Sequence, residues 1–178
     1  MLLNIKSIIV DDFLKLCEKR AIGKITIQNI LDESGVSRKT FYNYFRDKYD
    51  LIQYCYDTKI IPQWDYIPGD EENAMEWEME MLRSMRKHAG FMKAACQMGG
   101  KDCLREHMVN NGRDADFKWY SAIKSEPIDD EMKKSIYYHS AAARYMVIEW
   151  ILNDMPLHEE EVAEIIRKNS ILYNYNKK

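Results

Sequence analysis

A chain of 178 residues with 46% apolar side chains can bury a sizeable core, so global disorder is excluded. Its formal net charge of -3 excludes a uniformly basic nucleic-acid binder, and any such function has to rest on a local patch. Cys17, Cys55, Cys96 and Cys103 lack the spacing of a disulfide scaffold, and no apolar run approaches the roughly 18 residues of a membrane span, so the expectation is a cytoplasmic protein with free thiols and no membrane partner.

Apolar residues recur at helical spacing, and strand-like alternation is scarce. The first segment places Ile5, Ile8, Ile9, Phe13, Leu16 and Cys17 on one face, and Lys6, Asp11 and Asp12 break its apolar run too early for a signal peptide. Gly23 ends it. Thr26 suits an N-cap ahead of Ile27, Ile30 and Leu31, and Ser34-Gly35-Val36 reads as a turn. Ser37 and Asp47 suit two further N-caps, the second opening a helix through Leu51, Ile52 and Cys55. Pro62 and Pro68-Gly69-Asp70 mark a connection. Beyond it the spacing predicts helices over about 71–87, 91–98 and 102–122, with Gly112 as a point of interruption. Asp129 caps a long helix that ends at Met155-Pro156, and a last helix starts near Glu159 and frays in the Asn/Tyr/Lys tail. The fold class is all-α, with about nine helices.

The stretch GVSRKTFYNYFRDKYDL, Gly35 to Leu51, mixes aromatic rings with basic side chains. Thr26 to Phe45 has the length of a helix-turn-helix. At ~100° per residue, from 3.6 residues per turn, Phe41 and Phe45 fall on one side of the second helix. Lys39 and Asn43 project from the other, Thr40 and Tyr42 flank them, and Tyr44 lies nearer the buried side. The outward set suits double-stranded DNA: Lys and Arg neutralise phosphates, Asn pairs with an adenine edge, a Thr methyl meets a thymine methyl, and Tyr reaches phosphate or base. Thr26 and Lys48 stand at helix N-termini, where backbone N–H groups favour a phosphate oxygen. Residues 1–50 carry nine Lys/Arg against seven Asp/Glu, and the remainder 17 against 22, which is the asymmetry expected of an N-terminal reading head. The plain alternative is that Arg38, Lys39, Arg46 and Lys48 merely solvate a small helix.

The segment ITIQNILDESGVSRKTFYNYFRDKYDLI resembles the DNA-binding region of TetR-family transcriptional regulators. The matching positions are Ile25-Thr26, Ile30, Gly35-Val36-Ser37-Arg38, Thr40-Phe41-Tyr42, Tyr44-Phe45, Asp47-Lys48 and Leu51. With the first helix, the likeness covers roughly the first 55 residues. Three departures stand out: Ser34 where Ala is common, Lys39 where a small residue is frequent, and few basic residues ahead of the first helix. The resemblance implies a three-helix DNA-binding domain over residues 1–46 and a helical regulatory and dimerisation domain over residues 47–178. It also implies a homodimer, most often a repressor, whose last two long helices form a four-helix interface. The DNA-reading set is then Thr26, Ser37, Arg38, Lys39, Thr40, Tyr42, Asn43, Tyr44 and Lys48. TFYNYFRDKYDLI together with EWILNDMP further resembles the branch that includes regulators of dihydroxyacetone-kinase operons, some of which respond through a partner protein.

The C-terminal region is rich in Met and aromatic residues. Trp77, Met81, Phe91 and Trp119 are candidates to line a pocket for a small-molecule effector, against the simpler reading of ordinary core. His88, His107, His139 and His158 form no HExxH pair, and no P-loop, dinucleotide fingerprint or nucleophile elbow is present, so neither a metal, a cofactor nor catalysis is expected. The long late helix carries Ile136, Ser140, Ala143, Val147 and Ile151 on one face, and the last helix offers Val162, Ile165, Ile166 and Leu172; together they suit either a self-complementary bundle or the monomer core. The competing functional classes are a helical protein-interaction module and a small-molecule-binding protein without DNA binding.

Overall fold

The computed structural model describes residues 4–63, 71–123 and 127–170. Within them the chain forms nine α-helices and no strand, in agreement with the helical periodicity of the sequence. The Pro68-Gly69-Asp70 connection, Leu172 and the Asn/Tyr/Lys tail lie outside the described residues.

The first four helices are short and locally encoded. Helix α1 (Ile5–Lys19) is capped by Asn4, whose side chain accepts from the Ser7 N–H, and buries Ile9, Val10, Phe13 and Leu16. A 3-10 turn (Ile22–Lys24) leads to α2 (Ile27–Ser34), α3 (Arg38–Tyr44) and α4 (Lys48–Cys55). Helix α4 runs on into one wider π-helical turn, Tyr56–Ile60. The longer helices follow: α5 (Glu71–Lys87), α6 (Ala89–Gln97), α7 (Leu104–Ile123), α8 (Asp130–Leu152) and α9 (Glu159–Lys168).

One continuous core joins the two ends of the molecule, from Ile9 in α1 to Ile166 in α9. Phe13 of α1 meets Phe91 of α6 edge-on, with ring centroids 6.4 Å apart, so the N-terminal helices dock directly on the C-terminal ones. Asp11 and Lys59 add an ion pair of 2.7 Å across the same junction. Helix α4 is fastened to the α6–α7 corner along one edge. Tyr49 donates to the Gly99 carbonyl (3.2 Å), Gln53 to the Asp102 carbonyl (2.9 Å), and Asp57 meets His107 Nε2 (2.8 Å), with Asn111 contacting both.

Gly112 does not interrupt α7. The helix is continuous, and the glycine makes room for Arg144 of α8: a Cβ at residue 112 would stand 2.2 Å from the Arg144 Nε and 2.9 Å from its Cγ and Cδ. The guanidinium crosses at that point to reach Asp116 at 3.5 Å.

Of the two uses the sequence left open for the late apolar face, most of its residues serve the core of the chain. Ile136, Ser140, Ala143, Val147 and Ile151 are all buried, as are Val162 and Ile166. These residues sit where α8 packs on α6 and α7 and where α9 packs on α5. Helical periodicity identifies a buried face but cannot name its neighbour. What α8 and α9 turn outward is Tyr138 (81% exposed), Tyr145 (50%) and, from the set read in the sequence, Ile165 (39%).

Between α8 and α9 the chain turns through Asp154 and Met155, both with left-handed backbone (φ 64° and 54°). Arg86 of α5 holds this turn. Its guanidinium pairs with Glu159 and donates to the carbonyls of Met155 (3.1 Å) and Leu157 (2.6 Å), while its Cζ stands 5.2 Å from the Trp150 ring centroid. The EWILNDMP motif therefore encodes the end of α8 and this turn.

Candidate nucleic-acid interface

The reading head is assembled by caps. The Thr26 hydroxyl accepts from the Asn29 N–H (3.2 Å), and the Asn29 side chain accepts from the Thr26 N–H (3.1 Å), a reciprocal capping box that starts α2. Gly35, with φ 66°, ends it in the left-handed conformation that an L side chain resists, and its N–H donates to the Leu31 carbonyl. Ser37 then starts α3 by accepting from the Thr40 N–H (3.1 Å), and the two hydroxyls lie 2.8 Å apart. Ser37 and Thr40 thus fix the helix, and Thr40 is half-buried.

Phe41 and Phe45 are buried as the helical wheel predicts, at 0% and 2% exposure, with their rings 5.7 Å apart. Lys39 and Asn43 are exposed on the opposite side, and Arg38 is exposed on the flank. Tyr42 is also exposed, edge-on to Phe41. Tyr44 corrects the sequence reading: it is 42% exposed and stands with the outward set. A seven-residue helix buries only a narrow stripe, here Phe41 and the capping Phe45, and a side chain 60° round from that stripe reaches water.

Arg38 and Lys39 take part in no ion pair among the described residues. Nearby basic groups do, including Arg46 with Asp50 (3.8 Å) and Lys19 with Glu33 (3.5 Å). Arg38 and Lys39 therefore leave uncompensated positive charge at the start of α3. Arg38 is steered by Gln28 of α2, whose Oε1 accepts from it at 3.1 Å while its Nε2 donates to Asp32 at 2.8 Å. Gln28 is a positioning residue that the sequence reading missed; its outward place opposite Ile30 and Leu31 is the signal that could have found it.

Lys48, read from the sequence as a phosphate contact, is engaged within the chain. Its ammonium donates to the Ile22 and Ile25 carbonyls at 2.9 and 2.8 Å, tying α4 to the segment ahead of α2. Burial holds its pKa below the ordinary 10.5, against a smaller opposing effect of Cys17. Lys48→Met should strip both carbonyls of a charged donor, and such bonds contribute about 1.5–3 kcal/mol. The expected result is a clear loss of stability by denaturant unfolding, with a DNA salt slope changed by far less than the ~0.9 of a lost phosphate contact. A full drop in slope at unchanged stability would return Lys48 to the DNA. Lys6 is likewise engaged, 3.7 Å from the Tyr54 ring centroid.

In the C-terminal half, Trp77 and Trp119 line one cavity of about 180 Å³, together with Glu78, Asp116, Tyr120, His139 and Arg144. Met81 and Phe91 do not reach it. Both belong to the core, Phe91 against Phe13, because their faces of α5 and α6 turn inward to the junction with the head. The described residues contain one cluster with metal-ligand types, His158, Glu159 and Glu160 at the start of α9; Glu159 is taken up by Arg86 and Glu160 faces Arg83.

The relatives bear on the N-terminal half most directly. Residues 9–55 match the family described as bacterial regulatory proteins, tetR family. The HTH-type dhaKLM operon transcriptional activator DhaS of Lactococcus lactis is 25% identical over 81 residues, which is 46% of this chain and spans only 41% of that relative's length. Among solved structures, a dihydroxyacetone kinase operon activator DhaS superposes with a TM-score of 0.65 at 18% identity, covering 92% of each chain. A protein from Syntrophomonas wolfei, assigned to the TetR family of transcriptional regulators, gives 0.56 at 17% identity, over 91% of this chain and 90% of its own. The two superpositions establish the shared fold, and residues 9–55, with the capped α2 and α3, match the helix-turn-helix domain of the tetR family.

Proposed function

We propose that the protein is a sequence-specific DNA-binding transcriptional regulator that works as a homodimer. The observation that carries this reading is the outward face of α3, where Arg38, Lys39, Tyr42, Asn43 and Tyr44 stand exposed over a fully buried Phe41. A seven-residue helix is about 10 Å long at 1.5 Å per residue and fits a major groove about 12 Å wide. In this reading Lys39 and Asn43 meet base edges, Arg38 and the tyrosines meet phosphate or base, and Thr26, Ser37 and Thr40 present the helix starts. Residues 1–46 act as the reading head and residues 47–178 as the regulatory and dimerising part. The second copy docks on the outward side of α8 and α9, around Tyr138, Tyr145 and Ile165. The Trp77/Trp119 cavity receives an effector that shifts DNA affinity. Repression is the expectation of the sequence reading, while the relatives named for dihydroxyacetone kinase operons are activators; a promoter–reporter assay separates the two.

The test is selection from a random DNA pool. The parent should enrich a near-palindromic site whose half-sites lie ~34–36 Å apart or a multiple of it, as helix-turn-helix dimers do. Lys39→Ala and Asn43→Ala should each relax particular base pairs in that consensus, at a cost of ~1–3 kcal/mol per lost contact. An unchanged consensus in both variants removes these side chains from base reading, and an asymmetric single site removes the dimer.

A further inference from the structure

Gln28 of α2 stands between two charged groups, and each end of its amide can play only one role. Its Nε2 donates to the Asp32 Oδ1 at 2.8 Å, and its Oε1 accepts from the Arg38 Nη2 at 3.1 Å. A carboxylate only accepts and a guanidinium only donates. The reversed amide would set acceptor against acceptor at Asp32 and donor against donor at Arg38, so the two ends fix each other. Gln28 and Asp32 lie one turn apart on α2, and Arg38 is the first residue of α3. All three side chains are exposed, so the row that joins the two helices is not a by-product of core packing. A guanidinium carries its donors on two edges, each with two parallel N–H groups, Nε with Nη2 and Nη1 with Nη2. Nη2 gives one hydrogen to each edge. Whichever of them Gln28 takes, one two-donor edge of Arg38 is left whole.

We infer that Arg38 reads the O6 and N7 of a guanine in the major groove, and that Gln28 and Asp32 are positioning residues that hold its plane for that contact. A phosphate can be met by a mobile positive charge from many directions, so it needs no clamp. A guanine edge asks for two parallel donors in one plane. Holding that plane before DNA arrives takes the ordering of a long side chain out of the cost of binding. The Asp32 carboxylate at the far end of the row also repels a phosphate placed beside the clamp, as a like charge. The row thus ties a base choice made by α3 to two residues of α2 that need not touch a base.

This inference rests on the DNA-binding reading given above and settles which of two contacts Arg38 makes. Sites are selected from a random duplex pool with the parent, Arg38→Lys, Gln28→Ala and Asp32→Ala, and with Gln28→Ala combined with Arg38→Ala. Affinity is then measured for the parent site, for that site with its guanine replaced, and for random duplex, over a range of salt. The parent should select one guanine per half-site that Arg38→Lys no longer selects, although the positive charge is kept and the salt slope with it. Gln28→Ala should lower the preference for that guanine about tenfold, within the range of one bidentate contact, and leave the salt slope and the affinity for random duplex unchanged. In the Arg38→Ala background the same change should do nothing further to base preference. Asp32→Ala should act on the same guanine in the same direction. A consensus that Arg38→Lys leaves intact gives Arg38 a phosphate and overturns the inference. So does an undiminished guanine preference in Gln28→Ala, or an equal loss with and without Arg38. Each of these leaves the DNA-binding reading standing, because a site is still selected; a parent that selects no site removes both.

Discussion

Phe41→Ala is expected to abolish DNA binding by loosening the reading head, without touching any group that faces DNA. Phe41 is fully buried, against the rings of Tyr42 and Phe45 at 5.4 and 5.7 Å. Truncating a buried aromatic costs about 3–5 kcal/mol, from lost transfer energy and the cavity left behind. Helix α3 has only seven residues and one buried position of its own, so little else holds it. The deficit should appear as lost amide protection across residues 26–46, with slower loss in α7 and α8. A variant of full stability that no longer binds DNA would mean that Phe41 faces the DNA.

Arg86→Met is expected to be the most damaging single change in the C-terminal half. It strands a carboxylate, Glu159, that is 8% exposed, and leaves the Met155 carbonyl without its side-chain donor, while the Leu157 carbonyl keeps the Trp150 indole N–H at 3.0 Å. Breaking a buried pair by removing one partner costs about 3–5 kcal/mol; Arg86 is itself 39% exposed, which puts the expectation near the lower end, about 3 kcal/mol. The sign of the pH dependence separates this from simple loss of packing. In the parent, burial opposes the charge on Glu159, but its own backbone N–H and the Arg86 guanidinium prevail and hold its pKa below the ordinary 4.5. Its contribution is therefore complete above about pH 4.5 and is lost as pH falls through the lowered value. Without the guanidinium, burial is opposed only by the backbone N–H and His158, and the pKa rises from its parent value. The variant should then be most destabilised relative to the parent at neutral pH, and the gap should narrow towards pH 4. A gap that stays constant with pH would assign Arg86 a packing role on Trp150 only.

What was legible in the sequence is what local chemistry decides. Thr26, Ser37 and Asp47 act as N-caps because each side chain reaches a backbone N–H three residues on. Gly35 takes the left-handed turn, and Phe41 and Phe45 share a face because four residues make about one turn. Apart from Tyr44, whose exposure is set by the narrow stripe of a short helix, the misses involve a partner distant in the chain. Lys48 bonds to carbonyls 23 and 26 residues earlier, and no spacing rule points there. Gly112 looked like a helix breaker because its partner, Arg144, belongs to another helix. Met81 and Phe91 had the composition of a pocket wall, yet their faces are claimed by core. Ser140 shows the same limit: its hydroxyl is buried without a hydrogen-bond partner, a cost that nothing in the sequence announces.

The three attachments of α4 to the α6–α7 corner, at residues 49, 53 and 57, behave as pins along one side of a door. In a regular helix a row at every fourth residue drifts steadily around the axis, by about 40° per step. The third pin, Asp57, lies at the start of the wider turn from Tyr56 to Ile60, which continues α4 beyond it. A body pinned along a line resists sliding and can only swing. In the proposed dimer, a tilt at the start of α7 would reach the head as a rotation, and the spacing of the two heads would become a matter of angle.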